Sequence, residues 1–317
     1  MAMKKNRLGK TELEVTELCF GILPMGPNQK NIPQSEGARL IRQGLEAGIN
    51  FLDTAEMYGT HSYIAEALQG YQGEVVIASK SASTTYEAMT ASVEKARQEL
   101  GRDVIDIFHI HAARADAAVF EERAGAIDAL VDLRAQGVIR AVGISVHGAD
   151  ACAIAATRPE FDIVFPIINK RGMGIINGTL EDMLQAIEQC RLAGKGMYAM
   201  KALAGGHLIG EIQDAYAYVQ HIPGFASIAV GMVNETELAF NLKYFKGEEI
   251  FPAELPSAQN EKRLHVLSYC VGCGTCVKVC PNYALSVQEG KVQVDREKCI
   301  LCGYCSPACP LFALRLV

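Results

Sequence analysis

The sequence has no excess of basic charge. Its 317 residues include 30 Lys and Arg against 36 Asp and Glu, which gives a net charge of -6. Nucleic-acid binding depends on positive charge that neutralises phosphates, so this composition argues against such a partner. The chain also has no apolar run near the roughly 18 residues of a membrane span, and no apolar core of a secretory signal at its start. We therefore predict a cytoplasmic protein that binds neither nucleic acid nor membrane.

Cysteine is scarce over the first 260 residues, where only Cys19, Cys152 and Cys190 occur. The other eight of the 11 cysteines lie between Cys270 and Cys309. Because half of the residues are apolar, the first part can bury a large core. The change in composition predicts a domain over residues 1–250, a linker over 251–260 that contains two prolines, and a small domain over 261–317, which a short helix at 260–265 would introduce.

Residues 1–250 alternate short β-branched apolar segments with longer amphipathic ones, a pattern typical of parallel strands covered by helices. The predicted strands are 17–21, 49–53, 75–80, 105–111, 139–145, 163–168, 196–200 and 227–231. The clearest predicted helices are 35–47, 85–100, 120–136 and 180–193. Eight β-then-α units of this length predict an α/β fold, the (β/α)8 or TIM barrel; a doubly wound open sheet is the alternative.

The C-terminal cysteines follow a repeated pattern, C-x2-C-x2-C-x3-C-P, once from Cys270 to Pro281 and again from Cys299 to Pro310. This spacing is that of bacterial ferredoxins with two [4Fe-4S] clusters, in which the fourth cysteine of each run ligates the other cluster. It predicts a small α+β ferredoxin-like domain. The predicted ligands are Cys270, Cys273, Cys276 and Cys309 for the first cluster, and Cys280, Cys299, Cys302 and Cys305 for the second.

Two alternatives to an electron-carrying domain stay open at this stage. Structural zinc is one, although four-ligand zinc sites use pairs of C-x2-C rather than triplets. The other is that the clusters only stabilise the domain, since so small a module has little core without them. Two clusters with exchanged ligands favour electron transfer.

Four polar residues follow the predicted barrel strands at their carboxyl ends, where barrel enzymes have their active sites. Asp53 ends the second strand, Tyr58 lies in the loop beyond it, Lys80 ends the third strand and His111 ends the fourth. An ammonium group beside a phenol would lower the phenol pKa, and a carboxylate would keep that ammonium charged. Such a tyrosine could give a proton to a carbonyl oxygen as hydride arrives at the carbon. His109, two residues earlier, is expected deeper in the barrel.

The sequence resembles the aldo-keto reductases. The resemblance runs through R-L-G-K-T-E-L-E-V-T-E-L-C-F-G (7–21), G-I-N-F-L-D-T-A-E-M-Y-G (48–59), V-V-I-A-S-K (75–80), D-I-F-H-I-H (106–111) and G-V-I-R-A-V-G-I-S (137–145). It implies a catalytic tetrad of Asp53, Tyr58, Lys80 and His111, with Tyr58 as the general acid and His111 orienting the substrate carbonyl.

The resemblance also implies a nicotinamide cofactor, NAD(H) or NADP(H). The implied contacts are Ser145, Asn169, Lys201, Gly231, Glu237 and Asn241. Glu237 lies where members that bind NADPH place basic residues, so NADH is favoured. The chain departs from the family at Val146, Phe165 and Met200, where polar or aromatic cofactor contacts are usual.

Two hypotheses of function follow. The first is an oxidoreductase that reduces a carbonyl, or oxidises an alcohol, of a small molecule with a nicotinamide, coupled to or stabilised by the clusters. The second is a one-electron transfer or redox-sensing protein, with a protein donor or acceptor, whose barrel is a docking or ligand-binding scaffold. Because hydride carries two electrons and each cluster carries one, a flavin would be a useful intermediary, although the sequence shows no flavin motif.

Arg114, Lys170 and Arg171 near the strand ends would suit an anionic substrate.

Overall fold

The computed structural model describes residues 3–113, 115–255, 263–311 and 313–316. Its largest unit is a closed barrel of eight parallel strands, each hydrogen-bonded to two neighbours. Numbered in chain order, these strands are β3 (Leu18–Gly21), β4 (Phe51–Asp53), β5 (Val76–Ser81), β6 (Ile105–Ala112), β7 (Ile139–Val146), β8 (Ile163–Pro166), β9 (Gly196–Met200) and β10 (Phe225–Gly231). The predicted (β/α)8 barrel is confirmed, and all eight predicted strands are present.

Helices connect the strands and cover the outside of the barrel. They are α1 (Gln34–Glu46), α2 (His61–Ala67), α3 (Tyr86–Leu100), α4 (Val119–Glu122), α5 (Ala124–Ala135), α6 (Ala149–Thr157), α7 (Leu180–Ala193), α8 (Ile212–Gln220) and α9 (Glu235–Phe245). The helix predicted at 120–136 is two helices, because Arg123 leaves the helical conformation between α4 and α5. Among the described helices, none combines the length and the apolar character that a bilayer crossing requires.

Local sequence signals set the helix ends. Thr85 accepts a hydrogen bond from the Ala88 amide at the start of α3, and Gly101 ends that helix with a φ of 62°. Thr179 and Asp182 form a capping box at the start of α7. These caps hold the helices in place on the barrel and so fix the loops at its carboxyl end.

An antiparallel hairpin that the sequence did not predict closes the amino end of the barrel. It consists of β1 (Lys5–Arg7) and β2 (Glu14–Thr16). Three of its apolar side chains, Leu8, Leu13 and Val15, are buried in the same cluster as the barrel interior. The hairpin thus covers the amino end of the barrel, opposite the carboxyl end where barrel enzymes have their active sites.

The C-terminal module, residues 263–316 as described, has two short antiparallel ribbons. One pairs β11 (Leu264–Val266) with β14 (Leu314–Leu316), and the other pairs β12 (Leu285–Gln288) with β13 (Lys291–Val294); a short helix, α10 (Thr275–Val279), precedes β12. Residues 264 and 265, predicted as helix, are strand, because they pair with β14. Residues 251–255 of the predicted linker are described and contain a 3-10 turn, Pro252–Glu254, while 256–262 lie outside the described residues. The predicted domain boundaries stay predictions.

The C-terminal module contacts the carboxyl end of the barrel through the segment 299–304. The His207 ring nitrogen Nε2 lies 2.8 Å from the Cys299 carbonyl oxygen, and Gln29 donates to the Cys302 carbonyl oxygen at 3.3 Å. Ile300 is buried within the main core of the barrel. The module therefore packs on the end of the barrel opposite the hairpin.

Candidate active site at the mouth of the barrel

The four residues predicted as a catalytic tetrad lie together at the carboxyl end of neighbouring strands. Asp53 ends β4, Lys80 lies near the end of β5, and His111 near the end of β6. Tyr58 ends a single 3-10 turn just after β4, which Gly59 terminates with a φ of 65°. All four side chains are buried and line one cavity of about 230 Å³.

Asp53 and Lys80 form a buried ion pair. The Lys80 ammonium donates to both carboxylate oxygens, at 2.7 and 2.8 Å, and to the Thr54 carbonyl oxygen at 2.5 Å. Burial raises the pKa of Asp53 and lowers the pKa of Lys80, and in each case the partner's charge opposes the shift. The charged form of each side chain therefore depends on the other.

Tyr198, on β9, extends this pair across the barrel and was not predicted as a site residue. Its hydroxyl lies 2.9 Å from the Asp53 carboxylate and 2.8 Å from the His109 ring nitrogen Nε2. His109 is fully buried below His111, as expected from the sequence. The only sequence signal for Tyr198 was its place within a predicted barrel strand.

The environment of Tyr58 corrects one expectation. The Lys80 ammonium lies 5.1 Å from the centre of the Tyr58 ring. The pKa of Tyr58 is raised well above its usual value, chiefly by burial and then by Tyr304 and Asp53, rather than lowered by Lys80. The physical reason is that burial disfavours the charged phenolate more strongly than the nearby ammonium favours it. Tyr58 is thus a neutral phenol, which has a proton to give.

His111 packs edge-on against Tyr58, with ring centroids 5.8 Å apart. Burial lowers the pKa of His111 well below its usual value, and the charges of Lys80, Arg123 and Lys201 act in the same direction. The imidazole is therefore neutral at neutral pH, and it is available as a hydrogen-bonding group rather than as a charge.

Five of the six residues predicted to bind a nicotinamide line the same cavity. They are Ser145, Lys201, Gly231, Glu237 and Asn241. Ser145 gives the clearest fit, because its hydroxyl oxygen is buried and has no hydrogen-bond partner among the described residues. A carboxamide placed there would satisfy it. Phe165 and Met200, two of the departures from the family, also line this space.

Asn169, the sixth, is placed differently. Its side chain donates to the Met173 carbonyl oxygen and accepts from the Arg171 and Met173 amides, so its polar groups are used within its own loop.

Lys170 and Arg171 both pair with Glu211, and Arg114 lies outside the described residues. An anionic-substrate site at these residues has no support from this arrangement.

The eight C-terminal cysteines surround two separate cavities. One is lined by Cys270, Cys273, Cys276 and Cys309; the other is lined by Cys280, Cys299, Cys302 and Cys305. These are the two sets predicted from the spacing, with the fourth cysteine exchanged. The Ala284 amide donates to the Cys280 sulfur and the Ala313 amide to the Cys309 sulfur, both at 3.3 Å. Each cavity thus gathers the four thiols that the spacing assigns to one cluster.

The loop of the second cysteine run enters the active-site cavity. Ile300, Leu301, Cys302 and Tyr304 line it together with the tetrad. The Tyr304 hydroxyl lies 3.4 Å from the Tyr58 hydroxyl and 3.3 Å from the His111 ring nitrogen Nε2. Nothing in the sequence indicated this contact, since Tyr304 is separated from both residues by about 200 positions or more.

The barrel and its buried residues define a class, the oxidoreductases built on a (β/α)8 barrel. Residues 17–222 match the aldo/keto reductase family, and residues 269–313 match the 4Fe-4S dicluster domain. The chain belongs to the aldo/keto reductase family and carries a 4Fe-4S dicluster domain at its C-terminal end.

Curated relatives are distant. The uncharacterized oxidoreductase YqkF of Bacillus subtilis is 26% identical over 158 residues, which are 45% of this chain and 49% of the relative. The methylglyoxal reductase YeaE of Escherichia coli is 34% identical over 110 residues, 33% of this chain and 37% of the relative. The chain thus spans about half or less of the length of these two proteins.

Two solved structures resemble the barrel. A Pseudomonas aeruginosa protein whose description assigns it to the aldo-keto reductases has a TM-score of 0.66 and 26% identity, covering 77% of this chain and 94% of its own. The holo form of the aldo-keto reductase AKR11C1 from Bacillus halodurans has a TM-score of 0.65 and 20% identity, covering 80% and 94%. The second likeness shows the fold alone.

Proposed function

We propose that the protein reduces a carbonyl, or oxidises the corresponding alcohol, of a small molecule with a nicotinamide, and that two [4Fe-4S] clusters exchange electrons with this site. The observation that carries the proposal is that the second cysteine loop lines the same cavity as Asp53, Tyr58, Lys80 and His111. A bound nicotinamide would supply or accept hydride, the clusters would carry single electrons, and a bound flavin would convert the electron pair into single electrons.

In this proposal Tyr58 is the general acid. Its phenol is protonated because burial raises its pKa, so it can give its proton to a carbonyl oxygen as hydride reaches the carbon. The buried Lys80 ammonium lies over the Tyr58 ring. Its positive charge stabilises the negative charge that develops on the Tyr58 oxygen as the proton leaves. The neutral His111 imidazole orients the carbonyl. Asp53 keeps Lys80 charged.

Ser145, Lys201, Gly231 and Glu237 would contact the nicotinamide cofactor. Asn241 lines the same cavity, but its amide already accepts from the Tyr216 hydroxyl and donates to the Glu237 carbonyl oxygen. The unsatisfied Ser145 hydroxyl suits its carboxamide, and the Glu237 carboxylate would repel a 2′-phosphate, which favours NADH. Asn169 has no part in this proposal, since its loop uses its polar groups.

The cluster ligands would be the two sets that line the two cysteine cavities. The second set includes Cys302, which also lines the active-site cavity, while in the first set Cys273 is exposed to solvent. In this arrangement a one-electron partner protein would exchange electrons with the first cluster, near the surface. The second cluster would exchange electrons with the barrel.

The test is reduction of acetophenone by NADH with cluster-loaded protein purified without oxygen. Tyr58→Phe should lower the turnover rate by about 10²- to 10⁴-fold, because general acid catalysis contributes that much. Tyr63→Phe is the matched control, since Tyr63 is buried nearby but donates to the Ile32 carbonyl oxygen outside the cavity. Equal turnover in wild-type protein and Tyr58→Phe would contradict the proposed role of the barrel.

A second candidate function is one-electron transfer or redox sensing without carbonyl turnover. It is favoured by one observation, the Tyr304 hydroxyl between Tyr58 and His111, which fills the place a carbonyl would need. It predicts that dithionite or a reduced one-electron protein bleaches the clusters, while no carbonyl compound is reduced under any condition.

A further inference from the structure

The Tyr304 hydroxyl lies where the proposed reaction needs the substrate oxygen. Hydride transfer to a carbonyl requires an oxygen that accepts hydrogen bonds from the Tyr58 hydroxyl and the His111 ring nitrogen Nε2. The Tyr304 oxygen is 3.4 Å from the first and 3.3 Å from the second. A phenol oxygen accepts hydrogen bonds as a carbonyl oxygen does. One side chain of the C-terminal module therefore takes the position of a substrate group.

These contacts are weak. Strong hydrogen bonds between hydroxyl groups are about 2.8 Å long, shorter than either distance here. The Tyr304 side chain is also only half-buried, whereas Tyr58 and His111 are buried. A substrate carbonyl with closer contacts can therefore displace the Tyr304 hydroxyl.

The backbone that carries Tyr304 is held firmly. A Cβ at Gly303 would lie 2.3 Å from the Asn28 carbonyl oxygen, and a Cβ at Gly205 would lie 2.0 Å from the Ile300 carbonyl oxygen. Gln29 and His207 add hydrogen-bond contacts to the same loop. Because the loop fits so closely, the site opens by rotation of the Tyr304 side chain rather than by removal of the whole module.

Apolar side chains form part of the wall of the cavity that Tyr304 enters. These are Leu23, Leu203, Ile209, Ile212, Ile300 and Leu301. A substrate with an aromatic or branched apolar substituent would bury it against this wall and gain free energy that offsets displacement of Tyr304. A carbonyl compound of two or three carbons lacks that gain.

We propose that Tyr304 is a gating residue: its hydroxyl occupies the carbonyl-oxygen position, and a carbonyl compound binds there only when that hydroxyl is displaced. This inference rests on the proposed function of the barrel. Where a closed state occupies most molecules, the apparent dissociation constant of a ligand increases by the inverse of the open fraction. Removing the closing group therefore strengthens the binding of every carbonyl compound that needs this position by the same factor.

The test compares wild-type protein, Tyr304→Ala and Tyr304→Phe, all loaded with clusters and free of nicotinamide. Binding of acetone and of acetophenone is measured by calorimetry. If Tyr304 fills the position in about nine of ten molecules, Tyr304→Ala should bind acetone about tenfold more tightly. Acetophenone needs the same position and should gain by the same factor. Tyr304→Phe lacks the hydroxyl that fills the position, so it should also bind both ketones more tightly than wild type.

Two controls separate this role from damage. Tyr304 lies between Cys302 and Cys305, so iron content and visible absorbance must match wild type in each variant. Tyr283→Ala, an exposed tyrosine of the same module, should leave both dissociation constants unchanged. If Tyr304→Ala fails to load clusters, Tyr304→Leu, which keeps apolar bulk but is shorter, replaces it.

Unchanged or weaker acetone binding in Tyr304→Ala with intact clusters overturns the proposal. Acetone turnover with NADH gives the second readout. A rise of kcat/KM in Tyr304→Ala supports gating, while an equal fall of kcat in Tyr304→Phe and Tyr304→Ala at unchanged KM would mean a catalytic hydroxyl and also overturns it. If no variant reduces any ketone, the proposed function of the barrel fails, and the calorimetry still decides whether Tyr304 restricts the cavity.

Discussion

The Asp53–Lys80 pair illustrates how a buried charge depends on its partner. Lys80 is 1% exposed and its ammonium is surrounded by three oxygens of Asp53 and Thr54. Removing one partner leaves the other charge without compensation, whereas replacing both often costs little. The pair therefore matters to folding as well as to the proposed chemistry.

Lys80→Met should lower the free energy of unfolding by about 3–5 kcal/mol, because Asp53 is left buried without its partner. The double variant Asp53→Asn with Lys80→Met should recover a large part of this loss. Urea unfolding of the full chain, followed by circular dichroism without oxygen, measures both. A double variant less stable than Lys80→Met would contradict the assigned pairing.

The pKa shifts of Tyr58 and His111 predict the pH dependence of turnover. His111 has its pKa lowered well below 6.5, so it stays neutral above that pH; Tyr58 has its pKa raised well above 10, so it stays protonated below that pH. Neither group changes charge between these limits. Values of kcat/KM measured between pH 6.5 and 9.5 should therefore be constant. A fall at alkaline pH that Tyr58→Phe abolishes would mean that Lys80 lowers the Tyr58 pKa after all.

At the scale of single elements, the loop between β9 and α8 is adapted to the C-terminal module. Lys201 and Ala204, neither of them glycine, have φ values of 59° and 48°, and Gly205 follows with 72°. Non-glycine residues adopt this conformation rarely and at a cost in free energy. The strained backbone conformation occurs where Gly205 lies against the Ile300 backbone of the module. The strain and the contact with the module therefore occur in the same loop.

Gly205→Ala should separate the module from the barrel, because its Cβ would meet the Ile300 carbonyl oxygen. Two neighbours serve as controls. Gly206→Ala carries backbone strain at a φ of 121° but touches no atom of the module, and Gly210→Ala meets no atom within 4 Å. Amide hydrogen exchange in segment 299–304 should accelerate in Gly205→Ala alone. Equal exchange in Gly205→Ala and Gly206→Ala would show that strain, not contact, is responsible.

The exchange of the fourth cysteine between the two runs can be tested by iron content. If Cys280 belongs to the second cluster, Cys280→Ser with Cys299→Ser damages one cluster and leaves about four irons, while Cys270→Ser with Cys280→Ser damages both. Without exchange the two double variants would give the opposite iron contents. Electron paramagnetic resonance of the reduced proteins counts the clusters that remain.

At the scale of the whole molecule, the sequence predicts what depends on local pattern. The strands, the order of Asp53, Tyr58, Lys80 and His111, and the two cysteine sets follow from periodicity, motif spacing and family resemblance. The expected lowering of the Tyr58 pKa by Lys80 was wrong, because a sequence does not show how deeply the Tyr58 phenol is buried. The N-terminal hairpin was missed because its strands have only three residues each.

The contact of Tyr304 with Tyr58 and His111 is long-range and depends on how two domains pack. Neither motif contains this information, because the aldo-keto reductase pattern ends before the module and the ferredoxin pattern requires only its cysteines. The result of that packing is a single cavity with the proposed catalytic residues on one side and the second cysteine loop on the other. The central claim is that this cavity makes the barrel site and the clusters one redox unit.

An anaerobic titration with NADH tests this claim most directly. The protein is first checked for released flavin, and cluster absorbance is then followed as NADH is added. Two clusters together take up one electron pair, so one NADH per chain should bleach both, with release of NAD⁺ and a proton, and Cys302→Ser should abolish the effect. Full bleaching by dithionite without any bleaching by NADH would contradict the claim and leave clusters that are structural or supplied by an external one-electron donor.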